Sequence, residues 1–280
     1  MTNGQDIQIR SLHQIEELEE ARKLESKIWG QADSIPTHQT ITAVKNGGLV
    51  LGAFDGERLV AFQYSFPGFN GKSVYLCSHI LATDVEYRNK GIGEMLKLAQ
   101  RDAAIELGYS LITWTYDPLE SVNGYLNIAK LGGISSTYIE NCYGEMEDLL
   151  NDGIPSDRFL VEWHIAGNSK QNSSEEFELE DLIKNSLTPW ELHKDGYPIP
   201  ASPLPLSNDE GVAFVAIPKQ YQFIKDTNIE AAMSWRLNTR TVFSQAFKQG
   251  WQVNGFAKNS QYDIPVNFYI LRKDNSDKEM

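Results

Sequence analysis

The chain has 280 residues, which at about 150 residues per domain allows one large domain or two ordinary ones. Its 41% hydrophobic and 22% charged residues are those of a globular protein able to bury a core without staples. With 38 acidic against 25 basic side chains the formal net charge is −13, which argues against nonspecific nucleic-acid binding, since that needs a cationic surface. Two cysteines, Cys77 and Cys142, make no disulfide framework, and no Cys/His cluster has zinc spacing, so no metal is expected. The start, MTNGQDIQIR, lacks a basic region followed by an apolar stretch, and no apolar run reaches about 18 residues. A cytoplasmic protein without a membrane segment is the expectation.

Residues 6–12 alternate apolar and polar and predict a short strand. Ile15, Leu18, Ala21, Leu24 and Ile28 then recur at helical spacing up to Gly30, and a second short helix is predicted over 38–46. GLVLGAF and RLVAFQYSF flank Asp55-Gly56, a strong hairpin signal. After the turn residues Gly68, Asn70 and Gly71 comes a third apolar run, SVYLCSHILATD. Next, RNKGIGEMLKLAQRDAAIELG reads as a glycine turn feeding a helix whose stripe is Leu96, Ala99, Ala103 and Leu107, closed by Gly108. SLITWTYD is a strand, a weaker helix covers 121–131 up to Gly132-Gly133, and ISSTYIENCYG and DRFLVEWHIAG are two further strands. This order predicts an α/β fold, α+β in detail, built on a mixed sheet flanked by helices.

Residues 167–210 break the pattern. The segment is acidic, and 189–205 holds five of the eleven prolines, which rules out a central strand or an unbroken helix. A surface connector with a short helix near Glu180–Asn185 is expected, and the acidic run Glu175–Asp181 reads as a solvated face. Beyond it, GVAFVAIP is a strand, 219–249 is mainly helical with Ile229, Ala232, Met233, Trp235 and Leu237 near an apolar face, and WQVNGFA and NFYILR form a closing pair. The expected organisation is a first domain over 1–166, a connector over 167–210, an α/β subdomain over 211–273 and a disordered tail over 274–280. The C-terminal strand–helix–strand–strand order loosely echoes the first half.

The segment Arg88-Asn89-Lys90-Gly91-Ile92-Gly93 lies between a predicted strand and a predicted helix. Glycines there admit a ligand close to the backbone, and the helix N-terminus offers unpaired N–H groups and partial positive charge. Together with Arg88 and Lys90 these make an anion site suited to a pyrophosphate. Glu94-Met95 after Gly93 departs from a P-loop ending. Leu96, in place of a third small residue, and the lack of a carboxylate in the strand SLITWTYD before Asp117 depart from a dinucleotide fingerprint.

Arg-x-x-Gly-x-Gly with the upstream LATDVEY resembles motif A of the GNAT superfamily of acyl-CoA-dependent N-acyltransferases, and the element order of 6–166 matches that fold over about the first 60% of the chain. The resemblance implies a splayed central sheet, with backbone N–H groups of 88–93 holding the pyrophosphate of coenzyme A. It places the pantetheine arm in the gap between strands 76–83 and 110–117. Leu81, Ala82 and Thr83 are then donor-binding positions through their backbone, and Asn123 and Asn127 are further candidates for coenzyme contact. The text through PLESVN, NIAKLGG, YG and DRFLVEW, with WRLNTRTVF and GWQVNGF near the end, resembles a GNAT subfamily associated with N-acylamino acid (N-succinylamino acid) racemases. That raises succinyl-CoA beside acetyl-CoA as donor, and a small-molecule amine, such as an amino acid, as acceptor.

Acyl transfer needs a neutral amine, a polarised thioester carbonyl and a stabilised leaving thiolate. The amides of Leu81 and Thr83 are candidates for the polarisation. His79, on the same strand, titrates near neutrality and is the candidate base, with Asp117 as an alternative base or ammonium ligand. Many superfamily members carry a Tyr acid where this chain has Ile128, so Tyr125 and Tyr143 are the alternatives. Cys77 reads as a small buried apolar residue. Arg236 and Arg240 stand at i, i+4 on one helix face and could clamp a substrate carboxylate, or pair with the chain's own acids. Direct attack in a ternary complex is the expected route. A non-catalytic acyl-CoA sensor and a protein-modifying acetyltransferase are the competing readings. No nucleic acid, membrane or metal is expected as partner, and a homodimer is left open.

Overall fold

The computed structural model describes residues 7–30, 34–144, 153–167, 177–207, 211–258 and 263–273. The expected tail at 274–280 and the start of the acidic run at Glu175 lie outside these. By contacts the chain forms two units, one of residues up to Trp114 with 164–167, the other of 115–163 with the described residues from 177 onward. These do not coincide with the segments 1–166 and 211–273. Among the described residues no helix is long and apolar enough to cross a membrane.

In the first unit the strands follow the order β1 (Ile7–Ser11), β2 (Leu49–Asp55), β3 (Arg58–Phe69), β4 (Val74–Thr83) and β5 (Leu111–Tyr116). The last two residues of β5 group with the second unit. Neighbours are antiparallel except β4 and β5, which are parallel. The Asp55-Gly56 signal is met by the β2–β3 hairpin, with Gly56 at φ +60°.

Period-2 alternation sends β2 side chains to two cores. Val50, Phe54, Phe62 and Ala82 meet Leu18 and Leu24 of α1 (Ile15–Trp29), and Ile41 and Val44 of α2 (Thr37–Lys45) pack on that cluster. Leu49, Leu51 and Val60 meet Ile92 and Leu96 of α3 (Ile92–Glu106). Two positions of the expected helix stripes lie in solvent instead. Ile15, the first residue of α1, is 60% exposed, and Leu107, the C-cap of α3, is 52% exposed. In both cases the chain enters or leaves the helix before the stripe turns to the sheet.

The second unit holds α4 (Ser121–Gly124), which runs directly into a π-helical turn, Tyr125–Lys130. Its strands β6 (Ile134–Ile139), β7 (Arg158–His164), β10 (Val212–Pro218), β11 (Trp251–Ala257) and β12 (Val266–Lys273) run β7-β6-β11-β12-β10, all antiparallel. The rung Val253↔Ser135 ties the C-terminal strands to β6, one of several contacts that group residues 115–163 with the C-terminal part. α6 (Tyr221–Thr227) and α7 (Ile229–Lys248) are separated by Asn228, whose side chain caps α7 through the Ala231 N–H. The buried face of α7 carries Ala232, Trp235, Arg236 and Phe243, whereas Ile229 and Leu237 of the expected face are exposed.

The proline-rich stretch holds more structure than a bare connector. After α5 (Leu179–Lys184) comes a short hairpin of β8 (Trp190–Leu192) and β9 (Pro198–Pro200). The hydrogen bonds from His193 N–H to Tyr197 O and from Ala201 N–H to Pro189 O set the phase of this ladder. Pro198 and Pro200 fall at the intervening positions, where no N–H is required.

Phe159 of β7, fully buried, centres the aromatic core of the second unit, with ring centroids of Phe243 at 4.6 Å, Tyr269 at 5.4 Å, Tyr116 at 5.8 Å and Tyr138 at 5.9 Å. Phe159→Ala should destabilise the protein by about 3–5 kcal/mol through lost contacts and the cavity left behind. Urea unfolding measures this, and a loss under about 1 kcal/mol would mean that the cluster collapses around the missing ring.

Candidate active site

Asp84 is buried, accepts from Glu86 N–H and caps a 3-10 turn, Val85–Tyr87. Lys27 and Arg58 both donate to it at 2.9 Å, and Lys27, then Glu86 N–H and Arg58, hold its carboxyl below the usual range. Arg88, Asn89, Lys90 and Gly91 are exposed, while Ile92 is buried and anchors the start of α3. Asn89 at φ +62° and Gly91 at φ +80° are both left-handed. No side chain caps α3, so its first-turn N–H groups face outward without an intrahelical acceptor.

At Gly93 an added Cβ would meet only Leu81 Cδ2, at an ordinary 3.6 Å, so internal packing does not demand glycine there. The space it keeps clear lies outside the chain, as a closely approaching ligand requires. Lys90 does not reach into the loop mouth. Its Nζ sits 4.4 Å over the Tyr87 ring, and Tyr87 in turn donates to Asp55 at 2.6 Å.

β4 and β5 are joined by only two rungs, Leu76↔Ile112 and Cys77↔Thr113. Beyond them β4 keeps β3 on one side and has no ladder on the other among the described residues. The Asp84 N–H bonds to Val60 O of β3. Strand N–H groups alternate in direction, so those of Leu81 and Thr83 point to the open edge and that of Ala82 to β3. In the first unit the sheet thus opens beyond Cys77, with the Leu81 and Thr83 N–H groups along the open edge.

The β3–β4 register shifts between Tyr64↔Ile80 and Ser65↔Ser78, which leaves His79 as the extra residue of a bulge. His79 is solvent-exposed at the bulge, its ring 6.2 Å from Tyr64 and 5.6 Å from Phe66, and partial desolvation lowers its pKa below the ordinary imidazole value. His79 is therefore neutral at pH 7. Tyr64, Phe66 and Pro67 line an open groove under α2, whose His38, Gln39, Thr42 and Asn46 form the opposite wall. Behind that wall Glu25 is buried on α1 and accepts from Ile35 N–H at 3.2 Å, and burial raises its pKa.

On the other face of the sheet Lys97 of α3 is buried. Its Nζ donates to Ser78 Oγ at 2.8 Å and lies 3.6 Å over the Trp114 ring. Ser78 Oγ donates to Gln100 Oε1 at 3.3 Å, and Gln100 Nε2 donates to Ser65 Oγ at 2.7 Å. Burial pulls the Lys97 pKa down to about 7, opposed by the neighbouring Cys77 thiol, whose own pKa burial raises. Lys97 and Glu25 both escaped the sequence reading. The available signal was a charged residue set among apolar ones on a buried helix face, Lys97 beside Leu96 and Glu25 beside Leu24.

The second unit holds the remaining candidates. Arg236, 1% exposed, donates to both oxygens of Asp117 and lies 5.5 Å over the Tyr221 ring. Burial opposes the Arg236 charge, but Asp117 outweighs it and raises the pKa. Arg240 donates to both oxygens of Asp157 at 2.8 Å, and Tyr138 OH donates to the same carboxylate at 2.7 Å. Both guanidinium groups are thus engaged by carboxylates of the chain itself, and Asp117 is engaged in turn. Tyr143, half exposed, shares a 2.7 Å hydrogen bond with Thr115 Oγ1. Tyr125 opens the π-helical turn under Lys258, whose Nζ is 4.8 Å above its ring. Asn127 is buried and Asn123 exposed, while Ile128, at the usual acid position, is fully buried. Cys77 and Cys142 are free thiols, and among the described residues no His/Cys/Asp/Glu group could hold a metal.

No protein-family model matches the chain, and no curated protein matches it. Solved structures with a similar trace include the ribosomal-protein-S18-alanine N-acetyltransferase of Escherichia coli, with a TM-score of 0.47 and 16% identity over 61% of this chain and 99% of that one. A protein of Desulfovibrio desulfuricans described as a GNAT-family acetyltransferase has a TM-score of 0.46 and 8% identity over 57% and 99%. Another, of Salmonella typhimurium, described as an acetyltransferase and solved with acetyl-CoA, has a TM-score of 0.45 and 12% identity over 59% and 96%.

Two buried cations give opposite stability predictions. Lys97 has a folded pKa below its unfolded value, so the unfolded chain binds more protons between about pH 7 and 10.5, and stability rises with pH across that window. Lys97→Met should therefore stabilise the fold by about 1–4 kcal/mol below pH 7, a gain that shrinks as pH rises through the window. Equal effects at pH 6 and pH 10 in thermal unfolding would contradict this. Asp117→Asn leaves Arg236 buried without its counter-charge and should cost about 3–5 kcal/mol in urea unfolding.

Proposed function

We propose that the protein is an acyl-CoA-dependent N-acyltransferase acting on a small-molecule amine. The observation that carries this reading is the union, in one unit, of an outward-facing helix N-terminus after a glycine loop and a β4 edge whose Leu81 and Thr83 N–H groups have no partner among the described residues. An anion cradle that continues into an open strand edge suits a ligand with a pyrophosphate at one end and an extended amide-bearing arm. Coenzyme A has that form. The residues from Arg88 to Gly93 would hold its pyrophosphate, and the open edge of β4 its arm.

The thioester end of such an arm comes to the bulge at His79. Neutral imidazole takes a proton from the attacking amine, and the groove under α2 admits that amine from the same face as the Tyr64 and Phe66 rings. The acceptor nitrogen attacks the carbonyl directly, and the edge N–H groups stabilise the charge that develops on oxygen. Acetyl-CoA and succinyl-CoA are the donors, and amino acids the acceptors, that the sequence resemblance brings forward. Ile128 at the usual acid position favours a second reading, a module that binds acyl-CoA without transfer.

Thiol release from acetyl-CoA and succinyl-CoA, assayed against D- and L-amino acids and polyamines, separates the two. The transferase reading expects amine-dependent release, lost in Gly91→Glu, which puts a carboxylate into the loop at a left-handed position. His79→Gln should lower kcat about 100-fold. The wild-type rate should rise with pH through an inflection below the ordinary imidazole value, because only neutral His79 accepts a proton. Coenzyme binding without release for any amine would replace the transferase with the binding module.

A further inference from the structure

Lys97 stands at a defined place in the fork. The last rung between β4 and β5 is Cys77↔Thr113. The next residue on one strand is Ser78 and on the other Trp114. The Lys97 ammonium lies 2.8 Å from Ser78 Oγ and 3.6 Å over the Trp114 ring, so it occupies the apex where the strands part. It reaches that point from α3, the same helix whose N-terminus closes the anion loop. An extended ligand that enters at the loop and pairs along the β4 edge ends at this apex.

The ammonium is desolvated and forms no ion pair with a carboxylate among the described residues. Among the described residues, the titratable group that acts on it is the Cys77 thiol of β4. Trp114 of β5 and Gln100 of α3 carry no charge. A buried cation of this kind is poised to receive an anion.

Resting on the acyl-CoA reading, we propose that Lys97 is the acid for the leaving group, the role left vacant by Ile128. The acceptor nitrogen bonds to the thioester carbonyl carbon, the C–S bond breaks, and sulfur departs with the electron pair. Lys97 Nζ first stabilises that thiolate and then gives it a proton. The proton lost by the acceptor nitrogen goes to His79. When the products leave, His79 releases its proton to solvent and Lys97 regains one from it, so the proton count closes over a turnover.

The test needs no acceptor. Coenzyme A is bound to the protein, and its thiol is titrated by thiolate ultraviolet absorbance, with desulfo-coenzyme A as the blank so that the protein thiols cancel. The bound thiol should ionise at least about one pH unit below the free thiol, as expected for an anion next to a buried cation. In Lys97→Met the shift should vanish while binding of the coenzyme persists. A bound thiol that ionises at or above the free value overturns the proposal from the wild type alone, whatever the variant's fold. A shift that survives Lys97→Met overturns it as well. Failure of the wild type to bind coenzyme A overturns the acyl-CoA reading itself, and Lys97 as acid with it.

Discussion

The first unit depends on one interrupted ladder. Parallel strands normally bury both faces and pair along their length. β4 and β5 pair at two rungs and then separate, while β4 remains bound to β3 to its end. An open edge in the middle of a sheet leaves backbone groups that must be satisfied by water or a ligand. The bulge at His79 belongs to the same irregularity. It puts His79 and Ile80 on one face in succession, so the imidazole reaches the Tyr64 and Phe66 rings, while Ser78 stays on the opposite face with Lys97. Without the extra residue, His79 could not take its side from Ser78 and still leave Ile80 in register with Tyr64.

The second unit shows a different use of charge. Asp117 and Asp157 are each held by two parallel N–H bonds from one arginine, and Arg158 Nη1 lies a further 3.9 Å from Asp117. Buried bidentate pairs of this kind add little net stability, because desolvation offsets most of the attraction, but breaking one is costly. They act more as register pins. Asp117 follows β5 and Arg236 lies on α7, so the pair joins segments 119 residues apart.

Much of the fold could be read locally and some of it could not. Asp55-Gly56, the glycine turn at 88–93 and the α1 stripe all announce themselves within a few residues, and each element forms where its pattern lies. The β8–β9 hairpin hides because five prolines argue against strands, and only the phase of the ladder reconciles them. The grouping of 115–163 with the C-terminal strands shows in the rung between Ser135 and Val253 and in the rings around Phe159, contacts that no local pattern encodes. At the site, the loop and the β4 edge follow from motif and alternation. The bulge does not, since a register shift is a property of two strands. For Arg236 and Arg240, helical spacing correctly put both on one face, but whether a guanidinium meets a ligand or an internal carboxylate is decided by burial and distance, which spacing does not contain.

Arg236 and Lys97 are thus two buried cations held by opposite means. Arg236 is neutralised in place, and its carboxylate partner raises its pKa against the cost of burial. Lys97 has, among the described residues, a hydroxyl, an aromatic face and a thiol beside it, and burial lowers its pKa towards neutrality. The arginine arrangement is what a structural role needs, a charge that never changes state. The lysine arrangement works against stability below pH 7, and hydrophobic side chains such as those beside it on α3 would remove that penalty. A group held at the cost of stability, able to gain and lose a proton near pH 7, is characteristic of a site with chemistry to perform. Its position at the apex of the fork, rather than elsewhere along α3, is what ties the proposed acid to the open edge of β4.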